Sequence, residues 1–201
     1  VSANTRPLEP IDVATRYRRI RSVPRMPDCA AWIDGVDLTR PLDDEVRGEL
    51  RRALDDFEVL CFRPQLLTPD QHLALGRVFG PIPGDSYFQR RPAAPDVEII
   101  ENDRERPPWI DQRHTDLSWK RAAPLGMAIR ITVTPPARGN TCRSSMSKAD
   151  DDRSHGIAVW DNRSTRHDAV ADDWPHHRVN QRVTFDEPPE SGPAPASGTP
   201  R

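Results

Sequence analysis

The chain has few cysteines, no long apolar run and no surplus of either charge, and each shortage removes a class of protein. Its three cysteines, Cys29, Cys61 and Cys142, show no metal-like spacing. They give no disulfide framework and suit a reducing compartment. No stretch approaches the roughly 20 apolar residues of a membrane-spanning helix. The N-terminus carries no basic segment followed by an apolar run, so no signal peptide is expected. The 29 basic and 31 acidic residues leave a formal charge of −2, and no positive field calls for nucleic acid. The expectation is a soluble, cytoplasmic protein without a nucleic-acid or membrane partner. With 201 residues, 35% of them hydrophobic, the chain can build one domain around one core.

Proline is plentiful, and five of the 22 fall at 188, 189, 193, 195 and 200 among Gly, Ser and Ala. Residues 186–201 are therefore expected to be a flexible tail behind a single domain over 12–185. Within the domain, Val46, Leu50, Leu54 and Phe57 repeat at helical spacing behind Asp43 or Asp44 as a cap. Arg47, Glu49, Arg51 and Arg52 are expected on the wet face of that helix. A second helix starts at Thr68-Pro69 with Gln71 placed for a capping box, and Gly80 ends it. Strands are expected at 59–62, where Cys61 reads as a buried small side chain, and at 97–100, 126–134, 157–160 and 179–185. Short strands with few helices suggest a jelly-roll-like barrel with a helical N-terminal flank.

The chemistry concentrates at His114-Thr115-Asp116 and at His167. Two imidazoles and one carboxylate are the set that holds non-haem Fe(II) with coordination positions open. On a strand, residues two apart point to the same side, so His114 and Asp116 could share an ion that His167 closes from another strand. A His-x-Asp triplet alone also describes a surface pair beside a turn. Arg178 and Arg182, four apart and so on one face of a strand, supply what an anionic co-substrate needs. His176 and His177 lack ligand-like companions and read as surface residues.

The run His114-Thr-Asp-Leu-Ser-Trp119, then Pro124-Leu-Gly-Met-Ala, Pro135-Pro136 and Gly139-Asn-Thr141, resembles the iron-binding half of the TauD/TfdA family of Fe(II)- and 2-oxoglutarate-dependent dioxygenases. Ala158-Val-Trp-Asp-Asn-Arg-Ser-Thr-Arg-His167 and Arg178-Val-Asn-Gln-Arg182 resemble its second signature. Gly35-Val-Asp-Leu, Val59-Leu-Cys-Phe-Arg-Pro-Gln65 and Phe79-Gly80 match the front of the family in the same order. The resemblance implies a mainly β double-stranded β-helix (jelly roll, cupin-like) with flanking N-terminal helices. It implies Fe(II) on His114, Asp116 and His167, with 2-oxoglutarate and O2 as co-substrates. Thr141 and Arg178 would bind the distal carboxylate of 2-oxoglutarate, and Arg182 would lie nearer a substrate anion.

Asp85, Tyr87 and Phe88 fall where the family keeps substrate-contacting residues, without reproducing its His-Pro-Val-Tyr pattern. Asp85 in place of histidine weakens the case for a sulfonate and favours an amine-bearing substrate. The partner expected is a small polar or anionic molecule, and a homo-oligomer stays open. Between Thr141 and Trp160 the family carries a far longer segment, so a piece is expected to be missing near 147–155. That shortness supports an alternative: a non-catalytic jelly-roll protein that binds metal or acts as a scaffold. A zinc hydrolase could use the same three ligands, but it leaves Thr141 and Arg178 unexplained.

Overall fold

The computed structural model describes residues 16–25, 29–84, 89–91, 94–108, 114–135, 141–142, 156–169 and 173–188. The expected tail beyond Pro188, the segment near 147–155, and Asp85, Tyr87 and Phe88 lie outside the described residues.

Both helices form where their local signals place them. Helix α1 (Asp44–Phe57) is capped by Asp43, whose carboxylate accepts from Val46 N at 2.9 Å. Helix α2 (Pro69–Phe79) carries the full capping box: Gln71 N donates to Thr68 Oγ1 at 3.2 Å and Thr68 N to Gln71 Oε1 at 2.7 Å. Gly80 follows because nothing larger fits, since a Cβ there would stand 1.9 Å from the Asp186 carbonyl oxygen. One expectation on α1 fails. Glu49 is buried, because its carboxylate accepts the backbone N–H groups of Arg18, Arg19 and Ile20 at 2.8, 2.9 and 3.0 Å. Burial raises its carboxyl pKa, and the three backbone bonds outweigh that and hold it below the usual range.

The strands are β1 (Arg21–Pro24), β2 (Ala31–Asp34), β3 (Val59–Phe62), β4 (Gln89–Arg91), β5 (Ala94–Asn102), β6 (Gly126–Val133), β7 (Thr141–Cys142), β8 (Ile157–Asp161), β9 (Asp168–Ala169) and β10 (Arg178–Phe185). Eight form one sheet in the order β1-β2-β3-β8-β6-β10-β5-β4, and β7 pairs with β9 in a second, small sheet. All pairings are antiparallel except β2 with β3, which α1 connects. This mainly β architecture with N-terminal helices is the jelly-roll class expected from the sequence.

The helices cover one face of the large sheet. Leu50, Leu54, Phe57, Leu75, Val78 and Phe79 pack there against Leu60, Phe62, Val159, Val183 and Phe185 in one apolar cluster. Successive strand residues point to opposite faces, so Arg178, Arg182 and Thr184 of β10 emerge on the other side. Opposite them in register stand Asn102 for Arg178 and Glu98 for Arg182. That second face carries the site.

Candidate metal centre

His114 and His167 are joined by their backbones before their side chains meet anything. Each donates its N–H to the other's carbonyl, at 2.8 and 2.9 Å, in an isolated antiparallel bridge. The paired backbones bring the two rings to a centroid separation of 4.3 Å. Trp160, at the end of β8, sets its ring edge-on to His167 at 5.2 Å.

Asp116 reaches the same place from a turn, not a strand. Leu117 after it adopts a left-handed φ of 52°, and Lys120 N closes the turn on Leu117 O at 2.9 Å. The fully buried Asn162 holds that turn. Its Oδ1 accepts from Asp116 N at 3.0 Å, and its Nδ2 donates to Asp116 O at 2.8 Å and Pro124 O at 3.3 Å. Neighbouring Asp161 fixes the chain leaving β8 by accepting from Arg163 N and Arg163 Nη2, each at 2.8 Å. The run Trp160-Asp-Asn-Arg163 thus has a physical job at each position, and Asn162 is a site residue that the sequence reading passed over.

The donor atoms of His114, Asp116 and His167 all lie within 4.8 Å of one another. His114 Nε2 stands 3.4 Å from Asp116 Oδ1, and His167 Nε2 3.5 Å from Asp116 Oδ2. Ligands about 2.1 Å from a common ion and at right angles would stand about 3 Å apart. Among the described residues Asp116 Oδ2 is buried with no hydrogen-bond partner, a costly state for a carboxylate oxygen that a metal ion would relieve. The residues fit a divalent ion. Burial pushes the Asp116 carboxyl pKa up, but the His114 hydrogen bond and the charges of Arg182 and His167 outweigh it and hold it below the usual carboxylate range.

Arg182 and Arg178 share a face of β10, as their spacing implies. Arg182 Nη1 lies 3.2 Å from Asp116 Oδ1, and its Nε donates to Glu98 Oε2 at 2.6 Å. Arg178 is buried with its Nε 3.4 Å from Asp173 Oδ2. With its amide oxygen turned toward β10, Asn102 accepts from Arg178 Nη2 at 3.2 Å. Thr141 is placed by its backbone, paired with Ala169 two residues beyond His167. His176 and His177 are exposed, but against expectation His177 has ligand-like companions: its Nε2 meets Glu101 Oε1 at 2.9 Å, and the donor atoms of Glu101, Asp103 and His177 lie within 4.8 Å of one another. A cavity of about 350 Å³ opens beside the Asp116 turn, lined among others by Pro83, Glu98, Leu117, Lys120, Thr184 and Asp186.

The model of the taurine catabolism dioxygenase TauD, TfdA family matches residues 21–152. That span contains His114 and Asp116, while His167, Arg178 and Arg182 lie beyond it and join the site by geometry. The alpha-ketoglutarate-dependent 2,4-dichlorophenoxyacetate dioxygenase of Cupriavidus pinatubonensis is 28% identical over 139 residues, which is 59% of this chain and 47% of that protein. The chain thus spans about half the length of this curated relative. A taurine dioxygenase structure from Burkholderia xenovorans superposes with a TM-score of 0.68 at 20% identity, over 84% of this chain and 91% of the other. AAD-2, solved in complex with Mn(II) and N-oxalylglycine, gives 0.66 at 16% identity, over 84% and 97%. These two likenesses establish the fold. With the family model matching well over half its length, the chain belongs to the taurine catabolism dioxygenase TauD, TfdA family.

Proposed function

We propose that this chain is an Fe(II)- and 2-oxoglutarate-dependent oxygenase acting on a small polar or anionic molecule. The observation that carries the reading is the convergence of two imidazoles and one carboxylate within 4.8 Å. Bound Fe(II) would supply the oxidative chemistry, coupling decarboxylation of 2-oxoglutarate to succinate and CO2 with oxidation, most often hydroxylation, of the substrate. His114, Asp116 and His167 hold the ion, and the backbone bridge and Asn162 fix their directions beforehand.

Arg178 binds the distal carboxylate of 2-oxoglutarate through the two-pronged contact a guanidinium offers, and the Thr141 hydroxyl adds a bond to it. Asp173 balances the Arg178 charge until the co-substrate arrives. The relative AAD-2, of the same fold, is itself a complex with Mn(II) and N-oxalylglycine, in keeping with this assignment. Asp85, Tyr87, Phe88 and Arg182 are the residues assigned to the primary substrate. The acidic Asp85 favours an amine on that substrate.

The test is metal content together with substrate-linked succinate formation in His114→Ala and His167→Ala. Each removes a nitrogen donor, so both readouts should collapse. Wild-type values in both assays would sink the assignment.

A further inference from the structure

Glu98 is a carboxylate inside an otherwise apolar stretch of β5, 3% exposed, directly across the sheet from Arg182. Its Oε2 accepts from Arg182 Nε at 2.6 Å and from Thr184 Oγ1 at 3.4 Å. Arg182 is equally buried and turns its Nη1 to Asp116 Oδ1. One guanidinium therefore stands between two buried carboxylates, and only one of those belongs to the metal set. Were Arg182 and Asp116 alone, their charges would cancel. An approaching divalent cation would meet a neutral pair and a competitor for its only anionic ligand. Glu98 adds one negative charge beside that pair, and Arg182 divides its attraction between the two carboxylates.

We propose that Glu98 is a positioning residue for the metal centre: it holds Arg182 partly away from Asp116 and adds one negative charge to the ion's surroundings. Arg182 in turn steers Asp116 through its contact to Oδ1. This rests on the reading that His114, Asp116 and His167 hold a divalent metal.

The experiment is calorimetric titration of the full chain with Mn(II), without 2-oxoglutarate, alongside thermal unfolding of each variant. Glu98→Gln keeps the shape and an acceptor for Arg182 but removes the charge. It should raise the Mn(II) Kd by roughly tenfold or more, a difference of about 1.4 kcal/mol. Arg182→Gln removes the competitor and should lower the Kd. The double variant Glu98→Gln/Arg182→Gln restores the net charge and should return to within about threefold of wild type, which a merely structural role would not do. A Kd unchanged in Glu98→Gln, or moved in the same direction by both single variants, overturns the proposal. Should Glu98→Gln not fold, Arg182→Gln carries the test, and an unchanged or raised Kd overturns it. Absence of Mn(II) binding by the wild type, or wild-type binding by His167→Ala, overturns the metal-site reading and this inference with it. A Glu98 effect missing against an intact His167 effect overturns this inference alone.

Discussion

The two faces of the large sheet are made by the same strands and could hardly differ more. On the helix-covered face of β10, Val183 and Phe185 are fully buried among aliphatic and aromatic side chains, Phe185 stacked on Phe79 at 5.4 Å. On the opposite face the same strand buries Arg178, Arg182 and Thr184, each against a polar partner. The first face gains stability from apolar surface removed from water. On β10 the second face contributes little net stability, because buried charges at best offset their own desolvation, and its apolar patch of Trp32, Val59 and Cys61 lies elsewhere on the sheet. What the second face provides is fixed direction, which on the proposed function would hold the ligands and arginines in place before any ion or co-substrate arrives. The difference teaches that burial alone does not tell a core from a site. The identity of the partners does.

The comparison breaks most visibly on the apolar face. Phe185→Ala should cost about 3–5 kcal/mol of unfolding free energy, read by denaturant titration, and a loss under about 1 kcal/mol would show that this face is not the core. Asn162→Ala strikes the second face, leaving the N–H and C=O of Asp116 buried without partners at about 1–3 kcal/mol each. It should also weaken Mn(II) binding, because the turn that aims Asp116 loosens. Wild-type Mn(II) affinity in that variant would show that Asn162 supports the fold and not the site.

A smaller effect sharpens the comparison from the opposite direction, since the helix face contains one imidazole. His72 is fully buried on α2, and its Nε2 lies 3.1 Å from Ala128 O. Burial, aided by the charge of Arg130, pushes its pKa down to about 4. A folded-state pKa below the unfolded one means the unfolded chain binds more protons between roughly pH 6.5 and 4, so stability falls as pH falls through that window. The loss should be about 1 kcal/mol between pH 6 and pH 5. His72→Gln should flatten that part of the stability profile. An unchanged slope would mean that His72 titrates normally.

Much of this was legible in the residues, for physical reasons that also explain what was not. The caps of α1 and α2 are local, settled within four residues of chain, and both helices start where Asp43 and Thr68 put them. Strands β3 and β8 announce themselves as apolar runs, while β10 shows only Val179, Val183 and Phe185 among polar residues. Strands β1 and β2 do not: β1 buries only Ser22 of its four residues, and β2 is Ala-Trp-Ile-Asp without alternation. The candidate set His114, Asp116 and His167 was readable because the motifs around it single it out, and the fold brings the three together.

Glu98 and Glu49 were not readable, because what buries each is distant in sequence. Glu98 needs the register that sets β5 against β10, and Glu49 needs the backbone of residues 18–20. A carboxylate interrupting the apolar run Val97–Ile100 was the available signal for the first. For the second the signal was its helical spacing, three residues after Val46 and four before Ala53, which sets it beside the apolar stripe.

Neighbouring positions of β10 allow the division of labour to be tested within one strand. Val183→Ala and Arg178→Ala should be measured in parallel for unfolding free energy and for 2-oxoglutarate affinity by calorimetry with Mn(II) present. Val183→Ala should lose about 1–3 kcal/mol of stability and keep the co-substrate Kd within twofold of wild type. Arg178→Ala should raise that Kd by about tenfold or more, in line with about 1.5–3 kcal/mol for a charge-assisted bond, and it should also lose stability, because Asp173 is left buried without the Arg178 charge. An Arg178→Ala variant that binds 2-oxoglutarate as tightly as wild type would contradict the account.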